Sequence, residues 1–145
     1  MNDLTEEKAR RLPAGPELDI LVATRFLGWE LKTKKCFYTD RQVEILIPPK
    51  RDISTFGATR YSAQPPPEFS RDWMYAGPLL EAMNRVAHVI VESVDYDEWI
   101  VTAQDLESGP GITWEHGAVA PTPQLAISRN CAVLVAQGIT VDDLK

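Results

Sequence analysis

Residues 88–103 read HVIVESVDYDEWIVTA, and this stretch decides the fold class. Its two halves, 88–94 and 98–103, are rich in β-branched residues, and the short polar segment Asp95-Tyr96-Asp97 separates them. Two such runs joined by a short polar turn predict an antiparallel β-hairpin. A further strand is predicted over 112–116, after a glycine-rich turn. We therefore expect a small, mostly antiparallel sheet.

A helix is predicted on the N-terminal side of this sheet, over residues 16–27. Pro16 suits the first helical position, because its missing N–H group would be unpaired there in any residue. Gly28 suits a left-handed residue that ends the helix. Two strands are expected next, at 29–33 and 43–47, and Pro48-Pro49 would end the second.

A second helix is predicted to begin at Ser70, whose hydroxyl would cap its first turn. Apolar residues recur through it at helical spacing and predict one buried face; they are Trp73, Ala76, Leu79, Leu80 and Met83. Gly77 and Pro78 interrupt this pattern, and a proline costs about 3 kcal/mol in a helix interior. We expect a kink there, or a new helix beginning at Pro78.

The last helix has start and stop signals at both ends. Thr122 is its predicted cap, Pro123 its first residue and Gly138 its terminator. Its buried stripe is predicted from helical spacing and consists of Ile127, Cys131, Leu134 and Val135. In this pattern Cys131 is expected to be a small core residue rather than a reactive thiol.

Helices before, between and after the β-runs predict an α+β fold, with helices packed on a small, mostly antiparallel sheet in a single-domain sandwich. A chain of 145 residues suits one domain. We assign residues 1–12 to a flexible N-terminal lead-in and 13–138 to the domain. Residues 48–68 are expected to form a long loop within it, and 139–145 a C-terminal tail.

Three blocks of sequence resemble a known family. They are AGPELD at 14–19 running on to FLGW at 26–29, FSRDW at 69–73, and PQLAISR at 123–129. Their order and spacing resemble the phage ABA sandwich domain family, small proteins of phages and prophages that mostly have no assigned function. The resemblance implies a phage or prophage source and a helix-on-sheet fold. It implies no activity and no catalytic residue, and Arg71 departs from the family's usual threonine.

Charge is distributed unevenly along the chain, whose formal net charge is −6. The segment from Lys32 to Arg71 carries eight basic and four acidic residues, so the remainder is strongly acidic. An acidic protein is a poor general binder of nucleic acid. No apolar run reaches the roughly 18 residues of a membrane span, and no secretory signal is evident. We expect a protein of the host cytosol that does not contact membranes.

Aromatic and basic residues interleave between 34 and 73, where arginine forks suit phosphates and aromatic faces suit bases. The candidate ligand-binding residues are Lys50, Arg51, Arg60, Tyr61, Ser70, Arg71 and Trp73. An anion beside Arg71 would also meet the N–H groups of the helix predicted to start at Ser70. The competing interpretation is that Phe69 and Trp73 belong to the core and that Arg71 only reaches the solvent.

Catalytic and metal-binding patterns are absent from the sequence. Neither His88 nor His116 lies in a motif, and no cysteine–histidine spacing fits zinc. The acidic turn of Asp95, Asp97 and Glu98 is typical of solvated turns. We therefore assign no catalytic residue, no metal and no cofactor, and the sequence does not favour an enzyme.

Three functions remain open. The first is a non-enzymatic accessory protein that binds a small anionic ligand, such as a nucleotide-type immune signal of the host, and so acts as an anti-defence sponge. The second is an interaction module that inhibits a host enzyme or defence protein. The third is an enzyme acting on a small metabolite or nucleotide. A homodimer or a higher homo-oligomer is also open, with the dimer favoured because closed symmetric assemblies are common.

Overall fold

The computed structural model describes residues 4–35, 42–47, 68–105 and 115–140. In these ranges four helices pack on a three-stranded antiparallel sheet, which confirms the predicted α+β class. The helices are α1 (Glu6–Arg11), α2 (Pro16–Leu21), α3 (Trp73–Met83) and α4 (Pro123–Ala136). The strands are β1 (Glu30–Lys35), β2 (Gln42–Ile47), β3 (His88–Asp95), β4 (Glu98–Gln104) and β5 (Glu115–Ala120).

The main sheet has the strand order β3-β4-β5, and both pairings are antiparallel. The predicted hairpin is confirmed as β3 and β4, which pair Val91 with Val101. One sheet face is buried through alternate residues such as Val101, Ala103 and Ala118. The predicted strand at 112–116 overlaps β5 only at its end, because 112–114 lie outside the described residues. Strands β1 and β2 form a separate antiparallel hairpin.

Helix α4 is the centre of the fold, between the sheet and the other helices. Its predicted ends are confirmed: the N–H of Leu125 donates to the hydroxyl of Thr122 at 3.2 Å, and Gly138 has a left-handed φ of 80°. The predicted apolar stripe is buried, and Cys131 with it. Burial raises the pKa of the Cys131 thiol well above its ordinary value, as expected for an unreactive core residue.

Helix α2 begins at Pro16 and leads to a left-handed Gly28 with a φ of 79°, as predicted. The end of the predicted helix differs, because the chain widens into a π-helical turn over Val22–Phe26. There the N–H of Leu27 donates to the carbonyl of Val22, five residues earlier. The widened turn still buries Val22 and Phe26 in the core.

Helix α1 lies within residues that the sequence assigned to a flexible lead-in. Its first turn is capped by Thr5, whose hydroxyl accepts from the N–H of Lys8 at 3.2 Å. Ala9 is completely buried, and α1 packs against α4. This segment therefore contributes to the same core as α2 to α4.

Helix α3 starts later than predicted. Asp72 is its cap, accepting from the N–H of Met74 at 2.9 Å, so the assignment of Ser70 as the cap is wrong. The helix also runs continuously through Pro78 to Met83, so no new helix begins at the proline. Ala76 and Leu79 lie in the core as predicted, whereas Trp73 does not.

Candidate functional site

The turn that precedes α3 is anchored on a buried carboxylate. The backbone N–H of Ser70 donates to Oδ1 of Asp19 at 2.9 Å, and the N–H of Gly15 donates to the Ser70 hydroxyl at 3.0 Å. Both Asp19 and Ser70 are almost fully buried. Ser70 therefore joins the start of α2 to the start of α3 and does not face the solvent.

Burial and hydrogen-bond partners act on the pKa of Asp19 in opposite directions. Desolvation raises the pKa of Asp19, whereas its hydrogen bonds with Ser70 and the charge of Arg71 lower it. Desolvation is the larger influence, so the pKa lies above its ordinary value of 3.8. The arrangement suits a structural anchor, since the carboxylate ties α2 to the turn before α3 through the N–H of Ser70.

Arg71 occupies the rim of this anchor. Its Nη2 lies 3.5 Å from Oδ2 of Asp19 and 3.4 Å from Oε1 of Glu68, and its side chain is 45% exposed. Together with the Asp72 cap, these carboxylates outnumber the one guanidinium that the described residues place here. Among those residues, the charge around Arg71 therefore does not favour an anion.

Two large apolar side chains follow Arg71 on the surface. Trp73 is 50% exposed and Met74 is 67% exposed, although both lie in the first turn of α3. Phe69 is different: it is buried and makes an edge-to-face ring contact with Tyr75 at 6.3 Å. We call the exposed trio of Arg71, Trp73 and Met74 the Trp73 surface.

The sequence identified two of these three residues. Arg71 and Trp73 were candidates, but Met74 was missed, although it lies off the apolar stripe of α3 and helical spacing alone turns it outward. Ser70 is close in space to Arg71 but faces the interior. The other predicted site residues lie outside the described residues and stay predictions; they are Lys50, Arg51, Arg60 and Tyr61.

The two histidines lie in different environments. His88 is exposed at the start of β3. His116 is mostly buried, with its Nδ1 3.4 Å from Oε1 of Glu6 on α1. Glu6 also pairs with Arg10 and accepts from the Gln137 amide, so this network joins the first helix to α4 and β5.

Metal chemistry has no support in the part of the chain that the structure describes. No cluster of three or more histidine, cysteine, aspartate or glutamate side chains there is placed to hold a metal ion. In the same residues, no helix has the length and apolar character that crossing a membrane requires.

Comparison with known proteins gives no relative for this chain. No protein-family model, no curated protein and no solved structure matches it. The resemblance to the phage ABA sandwich domain family therefore stays a prediction, based on the three sequence blocks.

Proposed function

We propose that this chain is a non-catalytic accessory protein of phage or prophage origin that docks on another protein through the Trp73 surface. A host enzyme or defence protein is the partner class that such an origin favours. The observation that carries the proposal is the exposure of Trp73 and Met74 beside Arg71, at the start of a helix whose Ala76, Leu79 and Met83 are buried.

The composition of the Trp73 surface supports a protein partner. Tryptophan, methionine and arginine are enriched in the cores of protein interfaces, and tryptophan and arginine dominate their binding energy. Burying a large apolar side chain that is now half in water contributes roughly 1.5–3 kcal/mol. The exposure of Trp73 and Met74 to water slightly raises the free energy of the unbound protein, and docking removes that cost.

The ion pairs of Arg71 also fit a protein partner. Glu68 and Asp19 hold the guanidinium in one place, so less side-chain freedom is lost when a partner binds. The same carboxylates reduce the attraction for a free anion. A partner that offers an apolar pocket and hydrogen-bond acceptors suits this surface better than a multiply charged phosphate.

The test compares the double variant Trp73→Ala/Met74→Ala with Tyr96→Ala. Tyr96 is a fully exposed aromatic residue at the β3–β4 turn and is the matched control. Tyr96→Ala is expected to keep wild-type stability within about 0.5 kcal/mol, whereas the double variant also loses the buried half of Trp73 and is expected to lose about 1–2 kcal/mol. Circular dichroism confirms that both variants are folded before they are used. Each protein is immobilised and exposed to host-cell extract, and the retained proteins are identified by mass spectrometry.

We expect a partner that wild type and Tyr96→Ala retain and the double variant loses. Binding of that purified partner, measured by calorimetry, should weaken by about 10- to 100-fold in the double variant. A partner that all three proteins retain equally would contradict the proposal.

A small anionic ligand is the second candidate. The half-exposed indole of Trp73 beside the Arg71 guanidinium is the observation in its favour, because an aromatic face and an arginine suit a base and its phosphate. In this version the protein sequesters a nucleotide-type immune signal. It would do so without catalytic groups.

The two candidates are separated by mixing the purified protein with cyclic and linear nucleotides, then heat-denaturing it and analysing what is released. Unaltered nucleotide supports the sponge, and altered nucleotide indicates an enzyme. Arg71→Ala and Arg60→Ala should each weaken sponge binding by about 1.5–3 kcal/mol if they hold a phosphate. Unchanged binding in both variants would remove these residues from the site.

A further inference from the structure

Within the part of the chain that the structure describes, the outer edge of β3 presents backbone groups that have no strand partner. In an antiparallel pair, alternate residues direct their N–H and C=O groups towards the neighbouring strand. The N–H of Val89 instead donates to Oδ1 of Asn84 at 3.2 Å, on the side away from β4. Val91 and Ser93 share its orientation by this alternation. No strand of the described residues pairs with this edge.

The opposite edge of the same sheet is closed. On β5, Nε of Arg10 donates to the carbonyl of Gly117 at 2.8 Å, and Nη1 of Arg129 donates to the carbonyl of Val119 at 3.0 Å. Natural sheets protect exposed edges because unpaired strands recruit other strands. Considering the described residues alone, the β3 edge is therefore the edge of this sheet that remains open to pairing.

We propose that the β3 edge binds a second copy of this chain, antiparallel and about a two-fold axis, so that two three-stranded sheets join into one of six strands. Strand addition of this kind uses main-chain hydrogen bonds for affinity and side-chain pairs for specificity. A two-fold interface must be complementary to itself. The charges along β3 meet that requirement.

Hydrogen-bond-donating and acidic side chains separate towards opposite ends of β3. Arg85 and His88 lie at its start, whereas acidic side chains lie along its second half and the following turn; they are Glu92, Asp95, Asp97 and Glu98. An antiparallel second copy brings the basic end of each strand to the acidic end of the other. A parallel arrangement would bring like charges together, which destabilises strand pairs.

The side chains also select the register. With the two-fold axis at Ile90, that residue faces its own copy and His88 lies opposite Glu92 of the second copy. Val89 lies opposite Val91 of the second copy, and the two exchange both N–H···O=C bonds. An axis at Glu92 would place the two Glu92 carboxylates opposite each other, which like-charge repulsion disfavours.

Asn84 adjusts to the pairing. Its Oδ1 holds the Val89 N–H in the single chain. In the proposed dimer that N–H donates to a backbone carbonyl instead, and the exposed Asn84 amide turns to water. The exchange replaces one hydrogen bond by another, so it does not oppose assembly strongly.

The test uses a charge swap, because His88 and Glu92 are both exposed and their replacement leaves the fold intact. Sedimentation-velocity ultracentrifugation of the full chain should show a dimer at about 0.1 mM. His88→Glu and Glu92→Lys should each weaken dimerisation by about tenfold, since each change affects two symmetric pairs. The double variant His88→Glu/Glu92→Lys should restore it.

Glu81→Lys is the matched control, with the same charge change at an exposed position on α3, and should dimerise like wild type. Hydrogen exchange should protect the Val91 amide in the dimer and leave the Ser93 amide exchanging. A monomeric wild type, or single and double variants that dimerise alike, would overturn the proposal. The Trp73 surface lies at the start of α3, whereas the β3 edge follows its end. A failure of partner binding at the Trp73 surface therefore leaves the dimer proposal intact, and a monomeric protein leaves the partner proposal intact.

Discussion

The two edges of the main sheet differ in how their backbone groups are satisfied. On β5, two arginines from α1 and α4 bond the outward carbonyls of Gly117 and Val119. On β3, a single side chain, Asn84, accepts from the first outward N–H. One edge is thus closed by charged donors from distant parts of the chain, whereas the described residues cover the other only at its start.

This difference teaches that edge protection here is part of tertiary packing. Arg129 bonds both Val119 and the carbonyl of Leu12, so the same side chain closes β5 and fastens the end of α1. The bond at the β3 edge joins Val89 to Asn84, only five residues earlier, and ties no distant elements together. This edge can therefore change its partner at little cost to the single chain.

The largest effect is expected for Arg129→Met, which removes both bonds but keeps the side-chain volume. Burial already lowers the pKa of Arg129, and its two acceptors compensate for that burial. We expect the free energy of unfolding to fall by about 3 kcal/mol in urea titrations, since bonds from charged donors are worth about 1.5–3 kcal/mol each.

Arg11→Met is the control for this change, because the pair that Arg11 makes within the described residues is an exposed one, with Glu7 on the same helix. Its stability should match that of wild type. Equal losses in Arg11→Met and Arg129→Met would show that the β5 edge gains nothing from its arginine.

A smaller effect is expected for Arg10→Met. Its Nε bond to Gly117 is lost, and so is the partly exposed pair with Glu6, which contributes little by itself. The free energy of unfolding should fall by about 1.5 kcal/mol. Amide hydrogen exchange should speed up more at β5 than at β4 in this variant. An equal increase in all three strands would show that Arg10 does not protect the β5 edge locally.

The smallest effect on the single chain is expected at the open edge, in Asn84→Ala. Loss of the bond to the Val89 N–H should lower the free energy of unfolding by at most about 1 kcal/mol. Dimerisation should strengthen a few-fold, because the Val89 N–H no longer has to leave an acceptor. Asn84→Asp retains an acceptor but adds a carboxylate at the basic end of β3, so it should dimerise more weakly than wild type. Weaker dimerisation of Asn84→Ala would contradict this account.

Much of the architecture follows from local signals in the sequence. The β3–β4 hairpin is encoded by its polar turn, and α4 by a threonine cap and a terminal glycine, so the structure confirms both. The α3 cap is a different case. Ser70 is a good cap residue by type, but its hydroxyl accepts from the N–H of Gly15, 55 residues away, and the capping role falls to Asp72.

The candidate site was predictable only in part for the same reason. Residue type pointed to Arg71 and Trp73, but the carboxylates around Arg71 come from α2 and from the preceding turn. No local pattern shows that Phe69 is buried while Trp73 is exposed. The residues that close β5 were also not foreseen, since Arg10 lies 107 positions from its acceptor.

The contacts of α1 have a consequence for the order of events during synthesis. Glu6 bonds Gln137, and Leu12 bonds Arg129, so the first helix of the chain is held by the last. At about 5–20 residues per second, α1 waits several seconds on the ribosome before α4 emerges. Until then the apolar residues that pack against α4 stay exposed to solvent. The nascent protein is therefore open to chaperones until α4 has emerged, and its core closes only then.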